Sequence, residues 1–415
     1  MRSIFIFSSV VLFSISSFAQ NTIKTMFYNV LEFPELNPNR ISLLEDILQD
    51  YAPDIFMVCE LQSQEGADTI LNVALNGESG NTNIYSAAPY FENQSGGGDL
   101  QQALFYRNDM FVLENTEIIN TPVRDINKYT LLLNTTAQDT NPIRIYAYVT
   151  HLKSSQGSAN QQLRLSMVEA FVNDTQQLEE DAFVLFAGDF NIYTSTEPAY
   201  LEILDQTNSV AMADPINTPG SWNNNEDFRA IHTQSTRTSS SGFGGGAGGG
   251  LDDRFDFIMV SQNMMTDTNL KYKTESYKAY GNNGNCYNNN INDINCGGVY
   301  NQIIREALYN MSDHLPVVME LETDQEIVIL DVPQHAVAQP FSLKNTMVSD
   351  LLTVYNPQPS NQDDSFGIFN TLGQEILQFK TSGNTTVLNV AQFAEGLYYI
   401  SNKTSSQTLK FLKTF

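Results

Sequence analysis

Two oxygen-bearing side chains stand two residues apart in Ala187-Gly188-Asp189-Phe190-Asn191. The apolar run before them, Ala182 to Phe186, reads as a buried strand, and Gly188 lets the chain turn where that strand ends. Asp189 and Asn191 so placed suit a hard cation and a phosphate together, although Asp and Asn after a strand are also ordinary turn formers. Other residues favour the first reading: Asn29, Glu60, His151, Asp256 and the pair Asp313-His314 also sit at or near predicted strand ends. Hydrolysis of a phosphodiester needs a cation to neutralise the phosphate, a base to activate water and a donor for the leaving oxygen. Mg²⁺ prefers few carboxylates and keeps several waters, and Glu60, at the end of an apolar strand, fits one such carboxylate. An isolated Glu at a strand end is more often a surface residue. The chain holds four histidines. His151 and His314 adjoin strand ends and each is followed by Leu. His232 lies in a polar stretch and His335 in a linker, where both are incidental. Asp256 interrupts the apolar run Phe255, Phe257, Ile258. A carboxylate in an apolar strand needs a partner, and an imidazole is a good one.

The elements that must hold these groups mix strands and helices. Ile23 to Val30, Asp54 to Leu61, Ala103 to Tyr106, Phe111 to Ile119, Tyr129 to Asn134, Ile143 to His151, Ala182 to Asp189, Phe255 to Val260 and Pro316 to Leu321 read as strands. Arg40 to Tyr51, Gln64 to Leu75 and Ser158 to Leu178 have helical spacing, the last with Leu163, Met167, Ala170 and Phe171 on one side. A two-sheet core covered by helices buries such elements, and about 300 residues suffice for it. Thr218 to Leu251 differs. Rich in Asn, Ser and Gly and ending in the run from Gly242 to Gly250, it reads as a long mobile surface excursion, a mere insertion more than a shaper of substrate access. From Glu322 the character shifts again. Asp331 to Pro340 resembles a linker, and Phe341 to Phe415 is a series of short strands between turns, which predicts a small all-β sandwich.

The chain has 415 residues, 47 acidic and 21 basic, for a formal net charge of −26. That balance argues against a broad basic face for non-specific nucleic-acid binding. It leaves open a phosphate substrate met through a bound cation, which inverts the local electrostatics. Residues 1–19 read as a signal peptide, with Arg2 as the positive start, an apolar run from Ile4 to Ile15 and a small-x-small site at Ser17-Phe18-Ala19. The mature chain is then expected to begin near Gln20. No stretch reaches membrane-spanning length. Cys59 lies in an apolar strand and reads as a buried thiol. Cys286 and Cys296 flank an Asn-rich loop and are expected to pair in an oxidising compartment. A metal site there lacks further Cys or His.

The order of motifs resembles the endonuclease/exonuclease/phosphatase superfamily, the deoxyribonuclease-I-like fold. The motifs are Tyr28-Asn29-Val30, Val58-Cys59-Glu60, Thr150-His151-Leu152-Lys153, Gly188-Asp189-Phe190-Asn191, Arg254-Phe255-Asp256-Phe257-Ile258 and Ser312-Asp313-His314-Leu315-Pro316. The likeness covers Thr22 to Leu321. It implies an α/β (α+β) fold, a four-layer α/β/β/α sandwich, for a catalytic domain spanning 20–323. It implies Mg²⁺ as cofactor, with Mn²⁺ as a substitute and Ca²⁺ as a structural ion. Glu60 then resembles the main metal carboxylate, with Asn29 and Asp313 as further metal-site residues. Asp189 and Asn191 resemble the pair that orients the phosphate and the attacking or leaving oxygen. His314 resembles the general base, hydrogen-bonded to Asp256, which fixes its tautomer. His151 occupies the place of a second catalytic His. The Glu that supports it in deoxyribonuclease-like members has no clear equivalent, and Asp99 is the nearest candidate. Arg124 is similar to a phosphate-contacting Arg, a role its bidentate fork suits. The resemblance implies a secreted, monomeric endonuclease acting on DNA. A phosphatase or phospholipase C-type phosphodiesterase is the alternative, and a non-catalytic adhesion module a third reading.

The C-terminal segment resembles the sorting domain recognised by the type IX secretion system. The likeness rests on Tyr355-Asn356-Pro357, Phe369-Asn370-Thr371-Leu372-Gly373-Gln374-Glu375, Gly396-Leu397-Tyr398-Tyr399-Ile400 and the terminal Leu409-Lys410-Phe411. It implies a linker over 324–340, a sorting domain over 341–415, the type IX machinery as partner and a secreted or cell-surface location. A generic carbohydrate- or surface-binding sandwich is the competing reading.

Overall fold

The computed structural model describes residues 21–36, 38–77, 83–96, 98, 100–330, 342–344, 346–355, 365–381, 385–402 and 408–414. The expected signal peptide, Asp99, His335 and residues 331–341 of the linker region lie outside the described residues. In the first unit the strands are β1 Asn21–Phe33, β2 Ile55–Leu61, β3 Tyr85–Ala87, β4 Gln101–Arg107, β5 Phe111–Ile119, β6 Ile126–Leu133 and β7 Arg144–His151. They continue with β8 Phe183–Asp189, β9 Met212–Ala213, β10 Asp256–Ser261, β11 Lys271–Tyr272, β12 Lys278–Ala279 and β13 Val317–Thr323. The helices are α1 Ile41–Tyr51, α2 Gln64–Thr69, α3 Ser158–Thr175, α4 Pro198–Ile203 and α5 Gln302–Met311. A wider helical turn, Ile70–Leu75, continues α2.

These strands form two sheets. One runs β11-β13-β1-β2-β4-β3, with β12 also on β13, and the other runs β5-β6-β7-β8-β10-β9. The apolar strands lack polar faces because each is covered on both sides. Successive side chains point to opposite faces, so Phe27, Met57, Leu185 and Ile258 meet between the sheets. Met26 and Phe56 pack outward against Leu44, Ile47 and Leu308 of α1 and α5. Phe186 and Phe257 pack outward against Met167, Phe171 and Tyr200 of α3 and α4. The result is the four-layer α/β/β/α sandwich implied by the motifs. Each fully buried aromatic or aliphatic side chain contributes about 1.5–3 kcal/mol. Phe171, whose ring stacks on Phe186 at 3.9 Å, is such a contact. The buried stripe of α3 is centred on Arg164, Met167, Val168, Phe171, Val172 and Thr175. Leu163 and Ala170, expected on it, are only half-buried.

Parallel pairs set the site's position. β1 and β2 are joined through α1, and β7 and β8 through α3, as parallel crossovers require. Both pairs therefore end at the same kind of edge, where loops gather.

The stretch Thr218 to Leu251 corrects its expectation of a mobile surface excursion. Its stem is buried: Trp222, His232, Thr233, Ser235, Thr236 and Arg237 are all enclosed. The reason is backbone pairing without helical or strand periodicity. Thr233 N and Gln234 N donate to Asp253 O, Ser235 N donates to Gly250 O, and Thr236 N donates to Asp313 O. Asn224, Glu226, Asp227, Arg229 and most of 238–249 are exposed, and Gly250 at the return takes φ +94°, with a Cβ there falling 2.4 Å from the Asn288 backbone. The Cys286–Cys296 disulfide forms as expected, and Cys59 is a buried free thiol. The loop this disulfide closes braces the excursion, through Ile291 N to Thr236 O and Thr238 N to Asn290 Oδ1. His232, incidental to the chemistry, is a buried residue whose Nε2 meets Trp222 O at 3.0 Å.

The second compact unit is all strand among its described residues: β14 Ser342–Leu343, β15 Met347–Val348, β16 Leu351–Tyr355, β17 Ser365–Asn370, β18 Glu375–Lys380, β19 Thr385–Asn389, β20 Gly396–Asn402 and β21 Thr408–Lys413. Sheets β14-β16-β19 and β15-β21-β20-β17-β18 enclose Leu352, Val354, Phe366, Ile368, Ile400 and Phe411.

Candidate active site

Register brings three of the expected residues into one row. His151 on β7 pairs with Asp189 on β8, and Asp189 pairs with Asp256 on β10. Residues directly opposite in neighbouring strands project from the same face. Gly188 makes the close strand approach possible, because a Cβ there would lie 2.4 Å from Thr150 O. From the facing sheet come Asn29 and Glu60. Asn29 is in register with Cys59 of β2, after which the pairing shifts. Regular alternation would aim Glu60 away from Asn29. Its φ of +60° re-aims the side chain, a left-handed conformation costing roughly 1 kcal/mol for a non-glycine residue. Asn29 Nδ2 then donates to Glu60 Oε1 at 2.9 Å and to Asp189 Oδ2 at 3.2 Å, so it joins the sheets.

Asp313 and His314 arrive on the turn into β13. Ser312 Oγ donates to Asn29 O at 2.7 Å, and Leu315 N donates to Thr233 O. His314 Nδ1 lies 2.7 Å from Asp256 Oδ2, and its Nε2 lies 3.7 Å from Asp189 Oδ2. On the other side of Asp189, His151 Nε2 is 3.5 Å from Asp189 Oδ2 and 3.9 Å from Glu60 Oε1. Asn191, at φ +52°, has its N–H on Asp189 Oδ1 and its amide 3.4 Å from Leu152 O. Two tight clusters result, Glu60 with His151 and Asp189, and Asp189 with Asp256 and His314. Asp313 stands outside both. Its Oδ2 takes hydrogen bonds from Gln234 Nε2 and Ala247 N, while its Oδ1 is buried without a hydrogen-bond partner among the described residues.

Arg124 is adjacent, but its Nη1 donates to the carbonyls of His151 and Leu152 at 3.1 Å each, and its buried Nε has no hydrogen-bond partner among the described residues. In this conformation the guanidinium supports the end of β7. His151 Nδ1 has no hydrogen-bond partner among the described residues, and Asp99, proposed to support it, lies outside them.

The electrostatics follow from crowding acidic groups in a buried place. Burial, with Asp256 and Glu60 nearby, pushes the Asp189 carboxyl up to about 8 against the opposing charge of His314. Burial and Asp313 also raise Glu60, opposed by the Asn29 hydrogen bond. Burial alone would lower His314, yet Asp256, Asp189 and Asp313 hold it well above the ordinary histidine value. Burial, with Arg124, His314 and Lys153, drives His151 well below it. One imidazole is thus prepared to carry a proton and the other is kept neutral. Among the described residues these groups could hold a divalent metal ion.

Gln234 is a residue of this cluster that sequence reasoning missed. Its Nε2 lies 2.6 Å from His314 Nε2 and 3.2 Å from Asp313 Oδ2. Nothing in Thr233-Gln234-Ser235-Thr236 marks it beyond two β-branched residues ahead of a glycine run.

Residues 26–273, more than half of the chain, match the Endonuclease/Exonuclease/phosphatase family, and residues 348–414 match the Secretion system C-terminal sorting domain. No curated protein matches the sequence. Similar solved structures include the human Nocturnin catalytic domain with bound sulfate anion, at 17% identity and a TM-score of 0.45, covering 73% of this chain and 97% of that one. D. rerio TDP2 complexed with a single-strand DNA product shows 16% identity and a TM-score of 0.47, covering 73% and 99%. A mannosyl-6-phosphatase of Bacteroides thetaiotaomicron shows 14% identity and a TM-score of 0.45, covering 72% and 99%. At these values the likenesses say nothing about substrate.

Proposed function

On the premise that the chain belongs to the endonuclease/exonuclease/phosphatase family, whose members hydrolyse phosphate esters, we propose that it is an exported, Mg²⁺-dependent endonuclease cutting DNA phosphodiesters. What supports this reading is the Asp256–His314 pair, 2.7 Å apart and turned toward Asp189, with Glu60 and His151 on the far side. Glu60, Asn29 and Asp313 would hold the ion. The set fits a hard cation: it offers oxygen donors, Asp313 Oδ1 is buried without a hydrogen-bond partner among the described residues, and Glu60 is raised by burial and like charge that a cation relieves. When bound, Mg²⁺ supplies positive charge to the phosphate oxygens.

The chain's own residues perform the proton work. His314 keeps its Nδ1–H on Asp256 and, in its neutral form, presents Nε2 to take a proton from the attacking water, the same carboxylates that favour its charged form making it a strong base. Asp256 fixes that tautomer and stabilises the imidazolium that forms. Asn191 and Asp189 orient the phosphate. His151, kept neutral, faces the leaving oxygen, which takes a proton from solvent as the P–O bond breaks while His314 returns its own proton to solvent. The Gln234 amide holds the hydrogen-bond position on Nε2 that water takes over in turnover.

Supercoiled plasmid incubated with the purified chain and Mg²⁺ tests the reading. Nicking that stops with chelator is expected, and plasmid intact under every condition overturns it. The net charge of −26 favours a second reading, a small phosphate ester in place of a polyanion. Turnover confined to a panel of phosphorylated small molecules would select it. The sorting domain marks the chain for type IX secretion to the cell surface or beyond. We assign inner-membrane export to residues 1–19, which the N-terminal sequence of the released protein checks.

A further inference from the structure

A cavity of about 320 Å³ lies beside the candidate site, lined by Leu31, Leu36, Arg40, Arg237, Phe243 and Asn310 among others. It shares a wall with the site. A Cβ on Gly246 would stand 3.0 Å from Asp313 Cγ and 3.1 Å from Leu31, and Leu31 N is itself bonded to Asn29 Oδ1. The volume is at the small end of ligand pockets, enough for one unit of a chain substrate and not for a long segment.

The charge in this cavity is unusual for an acidic chain. Among the described residues four arginines are fully enclosed, Arg164, Arg237, Arg254 and Arg305. Arg164 has Glu197 as counter-ion and Arg254 has Asp214. Arg305 spends its nitrogens on Tyr300 O, Ile291 O, Asp293 O and Gln302 Oε1. Arg237 is the exception. Its Nε donates to Tyr309 O at 3.0 Å, its guanidinium lies over the Phe243 ring at 3.7 Å, and its Nη1 is buried with no hydrogen-bond partner among the described residues. It takes part in none of the ion pairs among the described residues. Tyr28, close enough to feel its charge, has a buried hydroxyl that also lacks a hydrogen-bond partner among the described residues. Arg40 adds a second positive charge, fixed by bonds to the carbonyls of Val30, Leu31 and Met311. The bond to Tyr309, in the last turn of α5, explains Nε as a helix-end staple. It leaves Nη1 unexplained, and a buried cation that the Asp313 carboxylate reaches only through space, with no direct ion pair, is costly.

We propose that this cavity is a second anion subsite, in which Arg237 receives the phosphate one linkage along a polynucleotide while the adjoining sugar or base rests on the Leu36 and Phe243 wall. This deepens the endonuclease reading and rests on it: the substrate carries a neighbouring phosphate, which a simple monoester does not.

The test compares a DNA oligonucleotide with bis(p-nitrophenyl) phosphate, which has one phosphate, using the full chain with Mg²⁺. Arg237→Ala should lower the ratio of kcat/KM for oligonucleotide over the single-phosphate diester about tenfold, the scale of one charge-assisted contact. Arg237→Lys should recover part of it. Asn310→Asp, on the half-exposed rim, should lower the same ratio without removing the Tyr309 bond, and so guards against an Arg237 variant that fails to fold. An unchanged ratio in Arg237→Ala and Asn310→Asp overturns the subsite. Should the wild type cleave neither substrate, the endonuclease reading fails separately. Calorimetric titration of the metal-free chain with inorganic phosphate then decides the subsite: binding lost in Arg237→Ala supports it, and binding that is absent or unaltered overturns it.

Discussion

His314 meets Asp256 at one ring nitrogen and Gln234 at the other, and those partners come from regions built in contrasting ways. Asp256 belongs to a strand whose neighbours fix its position by register. Gln234 belongs to an irregular segment held by scattered backbone bonds to Asp253, Gly250, Asp313 and the disulfide loop. The strand region carries its chemistry on a ladder of paired backbone. The irregular region carries Gln234, Arg237 and Phe243 on scattered long-range bonds. The first should govern whether bonds are broken, and the second which bonds.

The widest separation between them is expected from His314→Ala, which removes the base. Loss of kcat on plasmid should reach about 10³–10⁴-fold with the melting temperature little changed; retention of activity would place the base elsewhere. Next comes the foot of the irregular segment, where Arg254 grips Asp214 through bonds of 2.8 and 2.9 Å. Asp214→Asn leaves a buried guanidinium without its counter-ion and should cost about 3–5 kcal/mol in denaturant unfolding. The same pair predicts a pH effect. Burial would raise Asp214, but Arg254 holds it below its ordinary 3.8. Its contribution is therefore complete above pH 3.8 and is lost as pH falls through the lower folded value. Acid unfolding of Asp214→Asn should lack that component.

Smaller is the paired substitution Cys286→Ser with Cys296→Ser. It frees the loop that braces the excursion and should lower stability by about 2–3 kcal/mol on chain-entropy grounds. Oligonucleotide cleavage should fall more than that of a single-phosphate diester. Equal losses would mean that the brace serves the whole unit. Smallest is Gln234→Ala, which should cost about tenfold in kcat/KM, the scale of one hydrogen bond to a charged partner. No change would make Gln234 a bystander.

The same contrast decides what was readable from residues alone. Asp256 stood out because a carboxylate among Phe255, Phe257 and Ile258 has few reasons to be there. The strands were readable because runs such as Ile55 to Cys59 are apolar on both faces, as strands covered on both sides must be. Helix α5 went unread, although Asn301 caps it and Ile304, Ala307, Leu308 and Met311 repeat at helical spacing. The Asn- and Gly-rich chain before it hid a signal only ten residues long. Gln234 had no such signal. Its position follows from long-range backbone bonds, and a polar residue among Ser and Thr looks the same whether it lines a site or a surface.

Asp189 faces His151 on one flank and Asp256 on the other. Moving β8 along by a single residue would bring Gly188 or Phe190 into that row and turn the carboxylate to the opposite face. The trio therefore behaves like cast type: its spacing is adjustable by side-chain length alone, never by sliding one strand. Novelty in what such an enzyme grips has to be composed outside the casting, in the irregular chain above it.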